Sequence, residues 1–475
     1  MPTAPLTSVL GFALTLAAAV QDPVAAQEPP AVVRPAHDLL RQNEDWSLLR
    51  DVDPSTTGDL WDRIKYVGLD GHGRSWLSFG GSAWFRSETW RGFNFERPPG
   101  QNYDDSFVLS RAAVHVDAHI DDSLRVFVEG RTVHSTDRDL PGGTRTMDAD
   151  HLDLQQGFVD WTFAGAGAST TLRAGRQMFL LGNQRLVSPL PWGNALRSWE
   201  GLAAIHEVDD WTFTGMFTRF VPVDIQDFNE GDNGHLLYGL YGTHKDGTGG
   251  QDVYWLGVAN QDATFNGTTG DEFRQTLGGR WWGPIGSRSS DLEVEGAGQF
   301  GQVGDEDVLT WMIASKFTTP LGGADSSLRA RFGFDWASGD DGAGGDVGTF
   351  SPPYPLGHAY YGYIDHVGRQ NAIDAWGGLE HSPSAPLRLT LDWHFFWLAD
   401  DSDAFYNAGG GVVVPGGAAT GTEVGNEIDL LLQWKIDRHA TAILGYSHFF
   451  AGDVISQTGP DADIDFFYFG LEYFF

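Results

Sequence analysis

The sequence predicts an all-β fold: a single transmembrane antiparallel β-barrel of about 18 strands, an even number, behind a short helical or irregular N-terminal segment. Three observations predict it. From Ser75 onward, apolar and polar residues alternate through runs separated by Gly, Pro, Asn and Asp clusters. The chain ends in an alternating aromatic strand, with Phe467, Phe469, Leu471, Tyr473 and Phe475 on one face. After Ala26 no apolar run reaches the roughly 18 residues of a membrane helix, so a membrane-spanning chain of this kind can only be a closed barrel.

The elements follow in order. Residues 1–26 read as a secretory signal peptide: the apolar stretch from Ser8 to Val20 is too short to span a bilayer and leads to the small-residue site Val24-Ala25-Ala26, which makes Gln27 the first mature residue. Residues 27–72 lack strand alternation and form a periplasmic N-terminal segment or plug, with a mobile leader as the alternative. Within them Leu39, Leu40, Trp46, Leu48 and Leu49 are expected to form one short amphipathic helix, and Asp59 to Val67 another turn. Residues 73–475 form the barrel. Its strands are expected at 75–87, 106–119, 122–133, 152–164, 170–178 and 197–206. They continue at 211–221, 235–244, 251–260, 272–282, 291–302 and 308–318. The last six lie at 326–337, 370–382, 387–398, 424–436, 439–450 and 463–475; 16 is the alternative count.

In the clearest strand Leu387, Leu389, Leu391, Trp393, Phe395 and Trp397 share one face, and Arg388, Thr390, Asp392 and His394 the other. Leu328, Ala330, Phe332, Phe334 and Trp336 likewise oppose Arg329, Arg331 and Asp335. In a membrane barrel the apolar face meets lipid and the charged face lines the lumen, which at this size holds water unless something fills it. Trp281-Trp282, Trp192 with Trp199, Phe395 to Trp397 and Phe449-Phe450 are expected in interfacial girdles. The strand Asp463 to Phe475 is similar to the terminal signal recognised by the barrel assembly machinery, and it closes against the first strand, which removes an aggregation-prone edge. These features place the protein in the bacterial cell outer membrane, among lipid and lipopolysaccharide.

A net charge of −34 argues against a nucleic-acid partner. Asp104-Asp105, Asp121-Asp122, Asp340-Asp341 and Asp400-Asp401 sit beside turn residues and read as solvated loops. Ser338 to Asp346 is the best candidate for a surface Ca2+ site, although it lacks the spacing of a calcium loop, and no other cofactor is expected. With no cysteine, the chain relies on hydrogen bonds and packing. There is no Gly-x-Ser-x-Gly elbow, His-Glu-x-x-His or phosphate loop, and the fifteen histidines show no metal spacing, so no enzyme is expected. His115 and His119, on one face of a strand, read as polar lumen residues.

The cations are biased: four of the 30 Lys and Arg are Lys, and the rest Arg. Arg86, Arg111, Arg125, Arg131, Arg173, Arg274, Arg280, Arg329, Arg331 and Arg388 fall on polar strand faces. A guanidinium stays charged and matches carboxylate geometry. Two readings are compatible: a positive constriction that selects anions, and wall bracing by pairs with lumen carboxylates such as Asp117, Glu129, Asp335 and Asp392.

Leu77-Ser-Phe-Gly-Gly-Ser-Ala-Trp-Phe-Arg86 with Glu88, Thr171-Leu-Arg-Ala-Gly-Arg-Gln177, Gly182-Asn-Gln-Arg-Leu-Val187 and Trp192 to Gly201 together resemble the alginate export family of outer-membrane barrels. Phe334 to Asp341, Gly357 to Tyr363, Asn426 to Asp429 and Gly445 to Phe450 resemble its later blocks. The resemblance implies an 18-stranded porin whose founding members export an anionic uronate polysaccharide through an Arg-rich constriction. It makes Arg86, Arg111, Arg131, Arg173, Arg176, Arg185, Arg197, Arg329 and Arg331 candidate lumen cations along the transport pathway. Arg176 shares its alternation face with Leu172 and Ala174, so either a bulge reverses the face or a loop buries it. The leading expectation is a channel for an anionic saccharide or small anionic solute. The alternatives are an outer-membrane enzyme with a rim active site and a structural or adhesion barrel with a blocked lumen.

Overall fold

The computed structural model describes residues 33–286 and 289–475; the expected signal peptide lies outside them. The barrel begins with β1 Trp76–Arg91, β2 Asp105–His119, β3 Leu124–Ser135, β4 Asp150–Gly165, β5 Ala168–Gln177 and β6 Ser198–Val208. It continues with β7 Trp211–Val221, β8 Asp232–Asp246, β9 Gly249–Phe265, β10 Thr268–Ile285, β11 Ser290–Val303 and β12 Glu306–Pro320. It ends with β13 Leu328–Ala337, β14 Ala372–Ser384, β15 Leu387–Leu398, β16 Glu423–Lys435, β17 Ala440–Ala451 and β18 Ile464–Phe474. Each strand pairs antiparallel with the next, and β18 returns to β1 from Ser82 opposite Phe474 to Arg91 opposite Asp465. The ring is closed, so every barrel strand has two neighbours and no edge is left open. Val67–Gly68 adds a short nineteenth member against Trp76 and Leu77.

Side-chain alternation sorts the faces as expected. Leu391 and Trp393 are 42% and 46% exposed on the outer surface, while Asp392 and His394 between them are 5% and 6% exposed inside. Phe467, Phe469 and Leu471 of β18 also face outward. Trp281, Phe395 and Phe450 join the outer surface, but Trp199 and Phe449 are fully buried inside, and Trp192 lies in a loop within the lumen. Adjacent aromatics on a strand point to opposite faces, so Trp281-Trp282 and Phe449-Phe450 each lend one ring to the outer surface, and Trp192 and Trp199 lend none.

The connections at 120–123, 166–167, 209–210, 247–248, 321–327, 385–386 and 436–439 are short and lie at the end that holds Phe475, the periplasmic end of an outer-membrane barrel. The opposite end carries L1 (92–104), L2 (136–149), L3 (178–197), L4 (222–231), L5 (266–267), L6 (304–305), L7 (338–371), L8 (399–422) and L9 (452–463). L3 and L7 turn inward, and the apolar core forms around them inside the extracellular half of the barrel. One cluster joins Trp84, Trp90, Phe107 and Phe396 of the wall to Tyr361 and Ile364 of L7. The other joins Trp199, Tyr254 and Leu256 to Phe179 and Val187 of L3 and Phe350 of L7.

The N-terminal segment docks in the opposite mouth. Arg41 donates to Gly81 O at 2.7 Å and Phe475 O at 3.0 Å, Arg125 donates to Gln42 O at 2.7 Å, and Trp61 donates to the Tyr473 hydroxyl at 2.8 Å. The amphipathic helix expected over 39–49 is instead two single 3-10 turns, Arg41–Asn43 and Ser47–Leu49. Asp38 and Asp45 accept the backbone N–H groups of Leu40 and Ser47 at 2.9 Å, and these local bonds break up the helix. The second expected turn is the helix Asp62–Lys65.

Candidate functional site in the lumen

Arginines on three adjacent strands hold successive carbonyls of L3. Arg86 of β1 donates to Trp192 O at 2.8 Å, Arg111 of β2 to Gly193 O at 3.0 Å and Asn194 O at 3.2 Å, and Arg131 of β3 to Leu196 O at 2.8 Å. The Arg86 guanidinium also lies 3.6 Å over the Trp192 ring. A loop buried in a lumen must satisfy its backbone, and charged donors on a rigid wall do this with little freedom to move. The far half of L3 is zipped to L7: Val187 and Tyr354 form a parallel bridge, and Leu356 N donates to Gln184 O at 3.0 Å. Arg197 caps the junction by donating to Pro355 O at 2.8 Å, and burial pushes its guanidinium down to about 10.

Most of the expected lumen cations are matched by wall carboxylates. Arg86 pairs with Glu88 at 2.6 Å, Arg131 with Asp150 at 2.6 Å, and Arg173 grips both oxygens of Asp160 at 2.7 and 2.8 Å. Arg176 does face the lumen, where it binds Glu200 at 2.6 Å and Asp153 at 2.9 Å. Both pairings of β5 stay in register there, with Gly157 and Glu200 opposite Arg176; the backbone turns at Gly175 with φ +134°, and Asn229 O of L4 covers the guanidinium at 2.6 Å. A Cβ at Gly175 would lie 2.2 Å from Gly157 O, so only glycine fits this approach. Arg185 binds Glu293 and Glu295, Arg329 binds Asp291 at 2.6 Å, and Arg331 lies 3.3 Å from Asp392 and 3.9 Å from Glu380. Among the described residues, Arg111 and Arg197 make no ion pair; their donors go to loop carbonyls.

The nine cations therefore fall in different places. Arg111 and Arg131 lie between L3 and the docked N-terminal segment, where a cavity of only about 20 Å³ remains beside Arg41, Glu129 and Glu472, and Arg86 lies under Trp192 of L3. Arg329 and Arg331 lie on the far wall, nearer the periplasmic mouth. There a cross-strand row runs Trp282, Glu293, Lys316, Gly333, Trp376 and His394. Glu293, Lys316 and Trp376 in this row are partly exposed on the inner face, with Arg280, Arg331, Glu380 and Arg388 around them. Gly333 makes room for the Trp376 indole, which a Cβ would meet at 2.1 Å. Water reaches this wall of the lumen.

Sequence reasoning overlooked Lys316. The Arg bias drew attention away from four lysines, yet alternation with buried Met312 and Ala314 was enough to place Lys316 inward. His115 and His119 are lumen residues that stack on Phe127 and Trp76. Among the described residues no group of three or more His, Asp or Glu is placed to hold a metal ion. Within Ser338 to Asp346, Asp340 is buried and its backbone N–H donates to Asp403 of L8 at 3.0 Å.

Solved structures share this architecture. OpdO of Pseudomonas aeruginosa is 12% identical over 84% of this chain and 97% of its own, with a TM-score of 0.54. The outer membrane protein OprD of the same organism is 10% identical over 84% and 93%, also at 0.54. OccAB1 of Acinetobacter baumannii is 14% identical over 87% and 99%, again at 0.54. At these identities the likeness is one of fold. No curated protein matches the sequence. Residues 75–469 match the alginate export family over nearly the whole barrel. A closed barrel of 18 strands with a polar, partly water-reached lumen is an outer-membrane channel, and the chain belongs to the alginate export family.

Proposed function

We propose that the channel passes anionic saccharides or similar small carboxylates along the wall built by β10 to β15. The observation that carries this reading is Lys316, a cation on the water-reached wall without an ion-pair partner among the described residues, beside Arg280, Arg331 and Arg388, which pair with Asp252, Asp392 and Glu380, in a chain of net charge −34. Fixed cations on a lumen wall raise the local concentration of anions and lower the barrier to their passage. Trp282 and Trp376 on this row offer flat apolar faces for a sugar ring. In this reading the wall arginines beside L3 serve as its scaffold, and the docked N-terminal segment acts as a periplasmic plug. The C-terminal strand ending at Phe475 serves recognition by the barrel assembly machinery. The channel carries out no chemistry of its own.

Reversal potentials across a planar bilayer under a salt gradient test the proposal. The protein should be anion-selective, and Arg331→Ala with Arg388→Ala should shift it toward cations. Cation selectivity that the double variant leaves unchanged would refute it. A second reading, a structural barrel with a closed lumen, is favoured by the inward packing of L3 and L7 and by the docked N-terminal segment. Bilayers that stay silent with correctly folded protein would support it.

A further inference from the structure

Glu293 is the one carboxylate on the water-reached row that several donors from different elements converge on. Asn183 of L3 donates to both its oxygens, at 2.9 and 3.0 Å; Arg185 of L3 binds Oε1, and Arg280 of β10 lies 3.3 Å from Oε2. L7 braces this fork, because Tyr360 stacks 4.5 Å from the Arg185 guanidinium and its hydroxyl donates to Asn183 O. Two guanidinium groups and an amide around a planar two-oxygen acceptor make a receptor for a carboxylate.

Directly across the strand pair from Glu293 stands Lys316. Opposite charges at such positions normally pair. Here they do not: Glu293 is engaged by the fork, and Lys316 has no ion-pair partner among the described residues, although Glu293 and Glu380 are the acidic groups acting on it. Arg185 has a second partner, Glu295 at 2.9 Å with its carboxylate well buried, so the fork stays assembled without Glu293. Glu293, with 16% of its side chain exposed, is the carboxylate that can leave.

We propose that the Asn183–Arg185–Arg280 fork is a binding subsite for a solute carboxylate, that Glu293 occupies it as a tethered stand-in, and that Lys316 receives Glu293 when solute takes its place. The exchange replaces one carboxylate by another on the fork and adds one ion pair on the neighbouring strand, so no buried charge is left unmatched. The subsite admits a carboxylate only if it outcompetes the tethered one, which filters solutes by charge and planarity. The inference rests on the channel reading above and adds to it a specific place where the solute is recognised.

Current block of the full-length channel in planar bilayers, with sodium D-glucuronate as probe and D-glucose as control, tests the exchange. Glu293→Gln weakens the stand-in and should lower the glucuronate Kd about tenfold, the effect of losing one charge-assisted contact. Lys316→Gln removes the receiving site and should raise it about tenfold. Glucose should respond to neither. Opposite signs from two neighbouring substitutions are not produced by a general loosening of the wall, and Lys316→Gln breaks no ion pair on which folding depends. Shifts of the same sign, equal shifts with glucose, or no shift in a wild-type channel that is anion-selective would overturn the exchange and leave the channel reading standing. A cation-selective channel that glucuronate does not block would overturn both.

Discussion

Replacing Arg111 with Met takes the guanidinium from beneath L3 and leaves Gly193 O and Asn194 O, held at 3.0 and 3.2 Å, without their donor. Each orphaned buried acceptor costs about 1–3 kcal/mol. Part of this is offset, because Arg111 is a buried cation with no ion-pair partner among the described residues, and Met removes that unmatched charge while filling much of the same volume. The net cost to the docked form of L3 is about 2–3 kcal/mol, which raises the undocked population about thirty- to 150-fold. Arg86 and Arg131 still hold Trp192 O and Leu196 O, and the strands are untouched, so the barrel itself survives. Hydrogen exchange reads the effect directly. The amides of Ala195, bonded to Met147 O, and Arg197, bonded to Pro189 O, should exchange faster by that factor, while amides of β16 to β18 keep their rates. Arg173→Met is the matched control, because Arg173 grips Asp160 and does not touch L3. Unchanged exchange at Ala195 and Arg197, or equal acceleration around the whole barrel, would refute the view that wall arginines strap the loop.

Gly175→Ala should lower the midpoint temperature of the heat-induced shift in gel mobility, because its Cβ would lie 2.2 Å from Gly157 O at a left-handed φ; the strain is about 1–3 kcal/mol. Gly298→Ala, whose Cβ would meet only Thr310 O at 3.9 Å, should leave the midpoint unchanged. Lys65 gives the docked N-terminal segment a pH dependence: burial, with Arg41 nearby, pushes it from 10.5 down to about 7, and its ammonium has no hydrogen-bond partner among the described residues. A lysine depressed in this way contributes docking strength that is complete above 10.5 and is lost as pH falls through about 7. Exchange at Leu49 and Ile64, corrected for the intrinsic rate, should therefore quicken from pH 10 to 7 and level off below. Lys65→Met should abolish the dependence; a slope that persists would assign it to another group.

The barrel was legible because lipid and water impose opposite demands on the two faces of every strand, and a period of two survives in the sequence wherever both are met. Leu387 to Trp397 shows this, and so does the strand that closes at Phe475. The parity conflict at Arg176 was also legible, as a choice between a bulge and a covering loop; the backbone turn at Gly175 occurs in unbroken register, and Asn229 of L4 covers the guanidinium. The partners were not legible. Arg86 and Trp192 are 106 residues apart, and Arg185 and Glu295 are 110 apart; these pairings arise from how loops enter a closed ring. L3 carries Gly, Asn, Pro and Gln like a surface loop, but Met178 to Leu181, Leu186, Val187, Leu190 and Trp192 give it an apolar content that signals an inward turn without saying which wall it meets. The N-terminal helix failed for a local reason: Asp38 and Asp45 offer the backbone better bonds than a helix would.

An Arg-rich lumen in an acidic protein looks at first like a strong positive pore, but pairing changes that. Asp150, Asp153, Asp160 and Glu200 reach the guanidinium groups of β3 and β5 at 2.6–2.9 Å, and a neutralised pair presents little net field to a passing solute. Selectivity must then come from the places where the match is incomplete. On the wall that water reaches, the mismatch is Lys316, opposite a glutamate that three other donors hold away from it. In such a lumen the number of arginines sets the stiffness of the wall and the anchoring of its loops. The placement of a few carboxylates decides which cations remain available, and removing a paired arginine alters selectivity by unmasking its carboxylate, as Arg331→Ala with Arg388→Ala would at Asp392 and Glu380.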